Sequence, residues 1–392
     1  MSSNRRRFLR NVTLGMGTLA TGVSAIAQQD ENERLIEPTQ PQQFNMCGYA
    51  APKLDKVRIG FVGLGMRGPG AVTRMSYIEG VEIVALCDKR TEKIAAAQEI
   101  LRKAGLPKAK EYSGNDGWKA MAESNDIDLI YSCTPWSLHT PIALYAMNHG
   151  KHVATEVPAA VTEKECWDLV ETSEKTKKHC MMLENCCYDF FELLTLNMAR
   201  NGMFGEIVHA EGAYIHDLRS LNFNKKDGYA DMWRLRENAK RNGNLYPTHG
   251  LGPIAQCLDI NRGDRMEHLV SMSGNDFMMG AMAKDLASKD NFYNEFASAK
   301  FRGNMNTTMV RTAKGKTMMI QHDVTSPRPY SRIHLISGTK GMASKYPDPQ
   351  RIAFGHEWLK EDQLKDAQEK FTPQIVKHVG EIAKKIGGHG GI

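Results

Sequence analysis

A glycine-rich turn that joins a buried strand to a helix constrains this chain more than any other feature. Residues 57–62 read Val-Arg-Ile-Gly-Phe-Val, an apolar run typical of a buried strand, and a helical pattern begins near residue 67. Three glycines follow the strand: Gly63, Gly65 and Gly68. The first permits a tight turn, the second lets the backbone approach a pyrophosphate, and the third lets the helix pack near the strand. Because a helix N-terminus also attracts anions, the turn predicts a dinucleotide site.

A carboxylate ends the next predicted strand and supports the same interpretation. The apolar run 81–87 leads directly into Asp88, twenty residues after Gly68. A carboxylate at this point accepts hydrogen bonds from both ribose hydroxyls of an adenosine and repels a 2′-phosphate. The carboxylate at this spacing therefore favours NAD over a cofactor with a 2′-phosphate. Lys89 and Arg90 follow immediately, and their positive charges weaken this preference. The alternative is a glycine-rich turn in some other α/β protein.

The first 27 residues predict a targeting segment. Arg5 and Arg6 lie in a pattern similar to the twin-arginine signal, a weakly apolar stretch covers residues 12–26, and residues 25–27 form a cleavage site. The stretch is too short and too rich in glycine for a membrane anchor. We therefore expect export by the twin-arginine route, to the periplasm or beyond, with no membrane attachment after cleavage. That route carries folded proteins, which suits an enzyme that takes up a nucleotide in the cytoplasm.

Charge and cysteine content exclude several classes of function. The formal charge of the whole chain is +6, and residues 1–27 carry four arginines and no other charged residue, which leaves +2 for residues 28–392. Such a balance gives no reason to expect nucleic acid or membrane binding. The eight cysteines show no disulfide framework and no CxxC or His–Cys cluster, so we interpret most as buried thiols and predict no metal site.

Residues 28–55 predict a polar arm, and residues 56–188 an α/β domain. Strand-like and helix-like patterns alternate in this domain, which predicts a parallel sheet with crossover helices. Helices are predicted over 67–79, 91–104, 140–149 and 162–177, and further strands over 127–133, 152–155 and 180–185. Ligands bind at the carboxyl ends of such strands. Gly63–Arg67, Asp88, Pro135–His139, Glu156 and Asn185 all fall there.

Residues 189–392 predict a second domain with an open, mainly antiparallel sheet. A helix is expected over 190–201 and another over 252–261, after the loop Tyr246–Gly250. Strand-like runs cover 205–215, 268–273, 294–301, 306–312, 316–323 and 331–337. A large open sheet of this kind often buries one face in a partner, so a homo-oligomer through the sheet is a further expectation. The chain stops in a glycine-rich turn, 387–392, from which we expect a C-terminally short domain.

Several motifs resemble the glucose–fructose oxidoreductase / inositol dehydrogenase / MocA superfamily. Thr134-Pro135 with His139, the run 150–153, and Glu156-x-Pro158 carry the resemblance. The resemblance implies a dinucleotide-binding Rossmann domain joined to an open sheet. In the dehydrogenases of that superfamily, a lysine between the last two residues lies beside the reacting carbon. Here that position is Val157, which has no acid/base group, so a simple dehydrogenase is disfavoured.

Further segments resemble one branch, glycoside hydrolase family 109. They are residues 63–68, 85–88, 214–219, 244–253 and 325–332. This branch contains NAD-dependent α-N-acetylgalactosaminidases. The resemblance implies hydrolysis in four stages: oxidation of the sugar at C3 by NAD⁺, elimination across C1–C2, addition of water and re-reduction. Two groups are needed, one to move the C3 hydroxyl proton and one to remove the C2 proton.

The resemblance also assigns residues to these tasks. Tyr246 and His249 are the implied acid/base pair, on a loop before a helix; a structural tyrosine and a helix-entry histidine are the alternative. The implied substrate-binding residues are Tyr214, Arg234, Tyr246, Pro247, Thr248, His249 and Tyr330. The implied NAD-binding residues are Gly63, Gly65, Met66, Arg67, Gly68, Asp88, Trp136, Ser137, Leu138, His139, Glu156, Val157, Asn185 and Tyr246.

Some alternatives stay open from the sequence. Tyr188 borders the nicotinamide or packs in the core, His216 is a site residue or a buried hydrogen-bonding histidine, and Arg234 binds sugar or forms a surface ion pair. For the whole protein, a periplasmic NAD(P)-dependent sugar oxidoreductase of the same superfamily is the second interpretation. A non-catalytic protein that keeps NAD as part of its fold is the third.

Overall fold

The computed structural model describes residues 42, 44–378 and 380. The predicted signal peptide (1–27), most of the predicted arm (28–41 and residue 43) and the glycine-rich end (387–392) lie outside the described residues. Among the helices that are described, none combines the length and the apolar character needed to cross a membrane.

The first domain contains a six-stranded parallel sheet in the order β3-β2-β1-β4-β5-β6. Its strands are β1 (Val57–Val62), β2 (Val81–Asp88), β3 (Lys110–Ser113), β4 (Leu129–Ser132), β5 (His152–Thr155) and β6 (Cys180–Met182). The helices between them are α1 (Gly68–Met75), α2 (Thr91–Lys103), α3 (Gly117–Glu123), α4 (Trp136–Asn148) and α5 (Glu163–Thr176). The predicted parallel sheet with crossover helices is confirmed.

Burial on both faces explains the continuous apolar run of β1. Ile59 and Phe61 belong to one buried cluster, and Val62 belongs to the cluster on the other side. A strand covered by helices on both faces gains from apolar residues at every position, whereas a half-exposed strand alternates. β1 is therefore held at the centre of the sheet, and the turn after it opens at the edge where the strands end.

The second domain is built on an eight-stranded sheet in the order β14-β13-β12-β11-β7-β10-β9-β8. Its strands are β7 (Ile207–Ile215), β8 (Met266–Ser273), β9 (Asn306–Thr312), β10 (Thr317–Asp323), β11 (Leu335–Gly338), β12 (Gly341–Ser344), β13 (Arg351–Phe354) and β14 (Glu357–Trp358). Only the central pair β7 and β10 is parallel, so the mainly antiparallel prediction is confirmed. The helices are α6 (Phe190–Arg200), α7 (Arg219–Asn222), α8 (Trp233–Lys240), α9 (Thr248–Cys257), α10 (Met279–Lys289), α11 (Asn294–Ala297) and α12 (Glu361–Phe371).

Several predicted elements differ from the structure. The helix predicted over 67–79 ends at Met75, the helix predicted over 140–149 begins at Trp136, and the strand predicted over 180–185 ends at Met182. The strand predicted over 294–301 is wrong: the segment forms α11 and a loop, because Phe296 and Phe301 enter a buried cluster from a non-sheet backbone. The strand predicted over 331–337 begins only at Leu335, after two residues with positive φ. The helix predicted over 252–261 is α9, which begins at Thr248 and ends at Cys257.

A contact between two glycines places α9 directly on β7. A Cβ atom on Gly212 of β7 would lie 2.3 Å from the carbonyl oxygen of Gly250 in α9, and one on Gly250 would lie 2.2 Å from the backbone nitrogen of Ala213. Both distances are far shorter than any real Cβ contact. The absence of both side chains thus lets the helix backbone touch the sheet. It also fixes the position of His249, which precedes Gly250.

We predict that Gly250→Ala lowers the free energy of unfolding by about 2–3 kcal/mol, because the new methyl group forces α9 away from β7. Urea unfolding followed by far-UV circular dichroism measures the change. Gly70→Ala is the matched control, since Gly70 is also the third residue of a helix but its Cβ would meet only the flexible end of Arg74. Equal stability of the two variants would contradict the close contact.

Candidate active site

A cleft runs along the carboxyl ends of the parallel strands and is covered in part by the second domain. Most of the predicted cofactor residues line it: Gly63, Gly65, Met66, Arg67, Asp88, Trp136, Leu138, His139, Glu156, Val157 and Tyr246. From the second domain, the segment 229–234 adds Tyr229, Asp231, Trp233 and Arg234. Lys89 and Asp231 form an ion pair of 2.8 Å between the two domains at the rim.

The glycine turn has the shape that a phosphate group needs. Gly63 has φ +86°, and its Cβ would lie 2.8 Å from the carbonyl carbon of Cys133, while a Cβ on Gly68 would lie 2.4 Å from the carbonyl oxygen of Gly63. These two glycines are therefore required by the protein's own packing. Around Gly65, by contrast, the nearest atom to a Cβ is Nη2 of Arg90 at 3.5 Å. The open space beside Gly65 fits a pyrophosphate against bare backbone.

Asp88, at the end of β2, is fixed by two backbone N–H groups, one of which belongs to the glycine turn. Its Oδ2 accepts a hydrogen bond from the N–H of Leu64 at 2.7 Å, and its Oδ1 accepts one from the N–H of Arg90 at 2.9 Å. Nε of Arg90 also donates to Oδ1, at 3.4 Å. A carboxylate oxygen has two acceptor positions, so Oδ2 keeps one of them for a ribose hydroxyl. The side chain is only 7% exposed, which orients it before any ligand binds. These contacts fit the adenosine ribose of NAD.

Four predicted cofactor residues differ in placement from the rest. His139 lines the cleft, but its Nδ1 lies 2.6 Å from the carbonyl oxygen of Pro158 and its Nε2 lies 2.8 Å from that of Thr134. Both ring nitrogens thus face backbone, and the polar contact predicted for this residue is directed to the protein itself. The other three lie outside the cleft lining: Gly68, Ser137 and Asn185. Ser137 is exposed in the first turn of α4, as expected if it belongs to the start of a helix and contacts no ligand.

The predicted pair Tyr246 and His249 is brought together beside the cleft. Their ring centroids are 4.8 Å apart in an edge-to-face arrangement, and both side chains are buried. Tyr246 also packs against Trp136, which ties it to the wall of the cofactor cleft. Burial raises the pKa of Tyr246 well above its ordinary value, although the nearby Arg234 acts in the opposite direction. The phenol is therefore protonated at neutral pH.

His249 has a buried carboxylate partner that the sequence reading did not select. Its Nδ1 lies 2.7 Å from Oε1 and 2.9 Å from Oε2 of Glu184, which follows β6 in the first domain. Burial alone favours the neutral acid, but hydrogen bonds from His249 and from the N–H of Cys186 outweigh it and hold the pKa of Glu184 below its ordinary value. No sequence motif links the two residues, because 65 positions separate them.

Arg234 lies in a box of aromatic rings. Its guanidinium carbon is 5.1 Å from the ring centroid of Trp136, 5.2 Å from Tyr229 and 5.0 Å from Tyr246, and Nη1 donates a hydrogen bond to the Tyr229 hydroxyl. Within the part of the chain that the structure describes, no carboxylate forms an ion pair with it, so the surface ion pair considered for this residue is not present. Ring faces stabilise the cation and leave N–H donors for a neutral oxygen ligand.

The other predicted substrate residues surround this box. Tyr214 packs on both Tyr246 and His249 with centroid distances of 5.0 Å, and its hydroxyl lies 3.2 Å from Nδ1 of His216. The ring of Tyr330 packs edge-to-face on His216. Burial lowers the pKa of His216, which favours the neutral imidazole. Pro247 and Thr248 form the start of α9, between the tyrosine and the histidine. Tyr188, in contrast, is 57% exposed and outside the cleft lining.

Two neighbouring residues complete the cleft wall. Burial raises the pKa of Glu156, although the positive charges of Arg67 and Arg74 oppose the rise. Val157 is buried in one cluster with Trp136 and Tyr246. The position at which the resemblance places a lysine is therefore apolar here, while Tyr246 and His249 lie in the loop before α9 and in its first turn.

Sequence reasoning did not select several residues of the cleft. Tyr229 and Trp233 precede Arg234 closely, so the aromatic spacing before this arginine was the available signal. Asn115, Trp118 and Thr134 also line the cleft but belong to ordinary loop and helix-start patterns. Only the fold brings these segments to one place.

Comparisons with protein families agree with this division of the chain. Residues 57–184 match the family "Oxidoreductase family, NAD-binding Rossmann fold", and residues 188–392 match "Glycosyl hydrolase 109, C-terminal domain". The first domain is thus an NAD-binding Rossmann domain.

Two curated relatives from Bacteroides fragilis are similar to the chain. "Glycosyl hydrolase family 109 protein 1" is 47% identical over 404 aligned residues, which cover 98% of this chain and 85% of the relative. "Alpha-N-acetylgalactosaminidase" is 54% identical over 311 residues, covering 79% of this chain and 73% of the relative.

Solved structures with the same fold are more distant in sequence. A levoglucosan dehydrogenase in complex with NADH and levoglucosan has a TM-score of 0.59 at 19% identity, covering 79% of this chain and 78% of that one. A scyllo-inositol dehydrogenase from Lactobacillus casei with NAD(H) and scyllo-inositol has a TM-score of 0.56 at 14% identity, covering 83% and 89%. At these identities the likeness establishes the fold alone.

We predict that Asp88→Ala weakens NAD binding by about 1–3 kcal/mol, because the ribose hydroxyls lose their acceptor. Titration calorimetry on cofactor-free protein measures the dissociation constant. Asp285→Ala is the control, since this exposed aspartate pairs with Lys289 in the second domain and lies outside the cleft. An unchanged affinity for Asp88→Ala would remove the assignment of this residue to the ribose.

Proposed function

The chain belongs to glycosyl hydrolase family 109, and we propose that it removes terminal α-linked N-acetylgalactosamine from glycans with NAD as a recycled cofactor. The observation that carries this proposal is the position of Tyr246. It lines the same cleft as the glycine turn and Asp88, and it contacts the ring of His249. Acid/base groups thus adjoin the cofactor cleft. The 54% identical relative is named for this activity, which supports the choice of substrate.

The chemistry divides between the cofactor and the side chains. When bound, NAD supplies a hydride acceptor for C3 of the sugar and a hydride donor at the end of the cycle. Tyr246 Oη and the His249 imidazole carry the two proton transfers, one at the C3 hydroxyl and one at C2. A protonated phenol can donate a proton, and an imidazole that is oriented by a carboxylate can accept one. Loss of the C2 proton beside a C3 ketone expels the group at C1.

Arg234 is the residue that we assign to the acetamido group. Its charge is balanced by aromatic faces rather than by a carboxylate, so its N–H groups can serve a carbonyl oxygen without breaking an ion pair. Tyr214 packs against Tyr246, and Tyr330 packs against Tyr214; we assign both to supply hydroxyl groups for the sugar. Val157 disfavours the second candidate, a simple sugar oxidoreductase, because it offers no proton-transfer group at the usual position.

The decisive experiment is hydrolysis of p-nitrophenyl α-N-acetylgalactosaminide in deuterated water. We expect activity that depends on NAD, no net formation of NADH, and deuterium at C2 of the released sugar. The C2 proton becomes acidic only while C3 is a ketone. A conventional carboxylate-pair glycosidase does not break this bond. Nuclear magnetic resonance of the product measures the deuterium content.

A substrate with fluorine in place of the C3 hydroxyl is the control for this mechanism. It cannot be oxidised at C3 and should not be hydrolysed. If the 3-fluoro substrate is hydrolysed as fast as the unmodified substrate, oxidation at C3 is not a step of the reaction. Steady accumulation of NADH with the unmodified sugar would instead favour an oxidoreductase.

We predict that Tyr246→Phe lowers kcat about 10²–10⁴-fold, because the variant loses only the hydroxyl that moves a proton. The release of p-nitrophenol measures the rate. Tyr188→Phe makes the same chemical change on an exposed ring outside the cleft and should keep the wild-type rate. Similar rates for the two variants would assign Tyr246 to packing.

We also propose export by the twin-arginine route, on the basis of the sequence pattern in residues 1–27. Replacing Arg5 and Arg6 by lysine should leave the protein in the cytoplasm, because the pattern depends on the arginine pair rather than on charge. Arg10→Lys is the charge-matched control and should be exported. Cell fractionation with immunoblotting measures both, and normal export of the double variant would refute the route.

Finally, we propose that the second sheet mediates a homo-oligomer. The edge strand β8 exposes Leu269, Val270 and Met272, whose relative exposures are 59%, 68% and 76%. Met309 on the neighbouring strand β9 is also exposed and pairs with Val270. Among the described residues, no strand pairs with the outer edge of β8. An apolar edge of this kind is unfavourable in water, and a second copy is the partner that is always available to it.

A further inference from the structure

A carboxylate from the first domain and an imidazole from the second form one buried contact. Glu184 follows β6 and is 5% exposed, and His249 on α9 is 1% exposed. Both oxygens of Glu184 lie within hydrogen-bond distance of the same nitrogen, Nδ1, at 2.7 and 2.9 Å. Such a contact between two buried titratable groups has to be fully satisfied, since either partner alone would be costly to bury.

The surroundings fix the position of the carboxylate. Oε1 of Glu184 also accepts a hydrogen bond from the N–H of Cys186 at 2.9 Å, in the short 3₁₀ turn Asn185–Tyr188. On the other side, a Cβ atom on Gly252 would lie 3.1 Å from Cγ of Glu184, so α9 packs closely against it. The side chain is thus held from both domains and has little freedom to rotate.

We propose that Glu184 is a positioning residue that holds the proton of His249 on Nδ1. With Nδ1–H donating to the carboxylate, Nε2 is the ring atom that accepts a proton from the substrate. The ring then becomes an imidazolium, Glu184 stays ionised and stabilises the new charge, and the proton leaves again from Nε2. This inference rests on the proposed function of His249, and it extends the site by a residue for which no sequence motif gives a role.

The test compares three variants in the enzyme loaded with NAD. Glu184→Gln keeps the shape of the side chain but removes its charge, so the amide cannot stabilise the imidazolium that forms when Nε2 takes up the proton. We expect kcat to fall about 10²–10⁴-fold with KM changed less than threefold. Glu184→Asp keeps the charge and should recover at least tenfold of this loss. Glu192→Gln is the matched control, because this buried carboxylate contacts Lys345 and Arg332 instead.

A spectroscopic measurement reads the proton directly. Two-dimensional ¹H–¹⁵N spectra of protein labelled at histidine nitrogens distinguish Nδ1–H from Nε2–H, and a His249→Gln spectrum identifies the signal. We expect the Nδ1–H signal in the wild type. NAD affinity and circular dichroism verify that each variant is folded.

The outcomes separate the two proposals. An Nε2–H signal in the wild type overturns the role of Glu184, even if Glu184→Gln does not fold. A folded Glu184→Gln with a kcat within threefold of the wild type, or a loss no larger than that of Glu192→Gln, also overturns it. If the protein fails to hydrolyse the N-acetylgalactosaminide at all, the proposed function fails, while the proton position on His249 still tests the role of Glu184.

Discussion

The hydrogen bond between Glu184 and His249 connects the two domains at the point where the active site requires accuracy. Each residue is anchored in its own domain, the glutamate after the last parallel strand and the histidine at the start of α9. Because α9 also contacts β7 through Gly212 and Gly250, the start of the helix is fixed on the sheet, and the histidine stays close to the carboxylate. The contact therefore orients the imidazole at a point where the two domains meet.

Around this contact, aromatic rings take the place that ion pairs have in many active sites. Tyr214 and Tyr246 pack against His249, and Trp136 and Tyr246 pack against Arg234. A guanidinium held by ring faces keeps its charge while its N–H groups are not committed to a carboxylate. The same rings exclude water from the phenol of Tyr246, which keeps it protonated. One cluster thus provides a cation, a proton donor and an apolar wall.

The dinucleotide domain shows how a common fold is adapted by few changes. Its glycine turn and Asp88 are arranged as an NAD site requires, with the carboxylate held by the N–H of Leu64 in that turn and the N–H of Arg90 after β2. The position that carries lysine in related dehydrogenases is Val157, packed against Trp136. The proton-transfer groups that we propose, Tyr246 and His249, belong to the second domain instead. A fold that supports sugar oxidation in distant relatives can then serve a reaction in which oxidation is only one stage.

The sequence by itself determined the local features, because their physics acts over a few residues. Buried strands, the glycine turn and the change from parallel to antiparallel patterns are all set by hydrophobic period and by backbone freedom. The pairing of Glu184 with His249, the aromatic box of Arg234 and the commitment of His139 to backbone carbonyls depend on segments far apart in the chain. The segment 294–301 shows the same limit. Its sequence resembles that of a strand, but its apolar side chains enter the core from a helix and a loop. Only tertiary packing decides which neighbours a buried side chain meets. Those neighbours determine whether the side chain is charged and which of its atoms carries a proton.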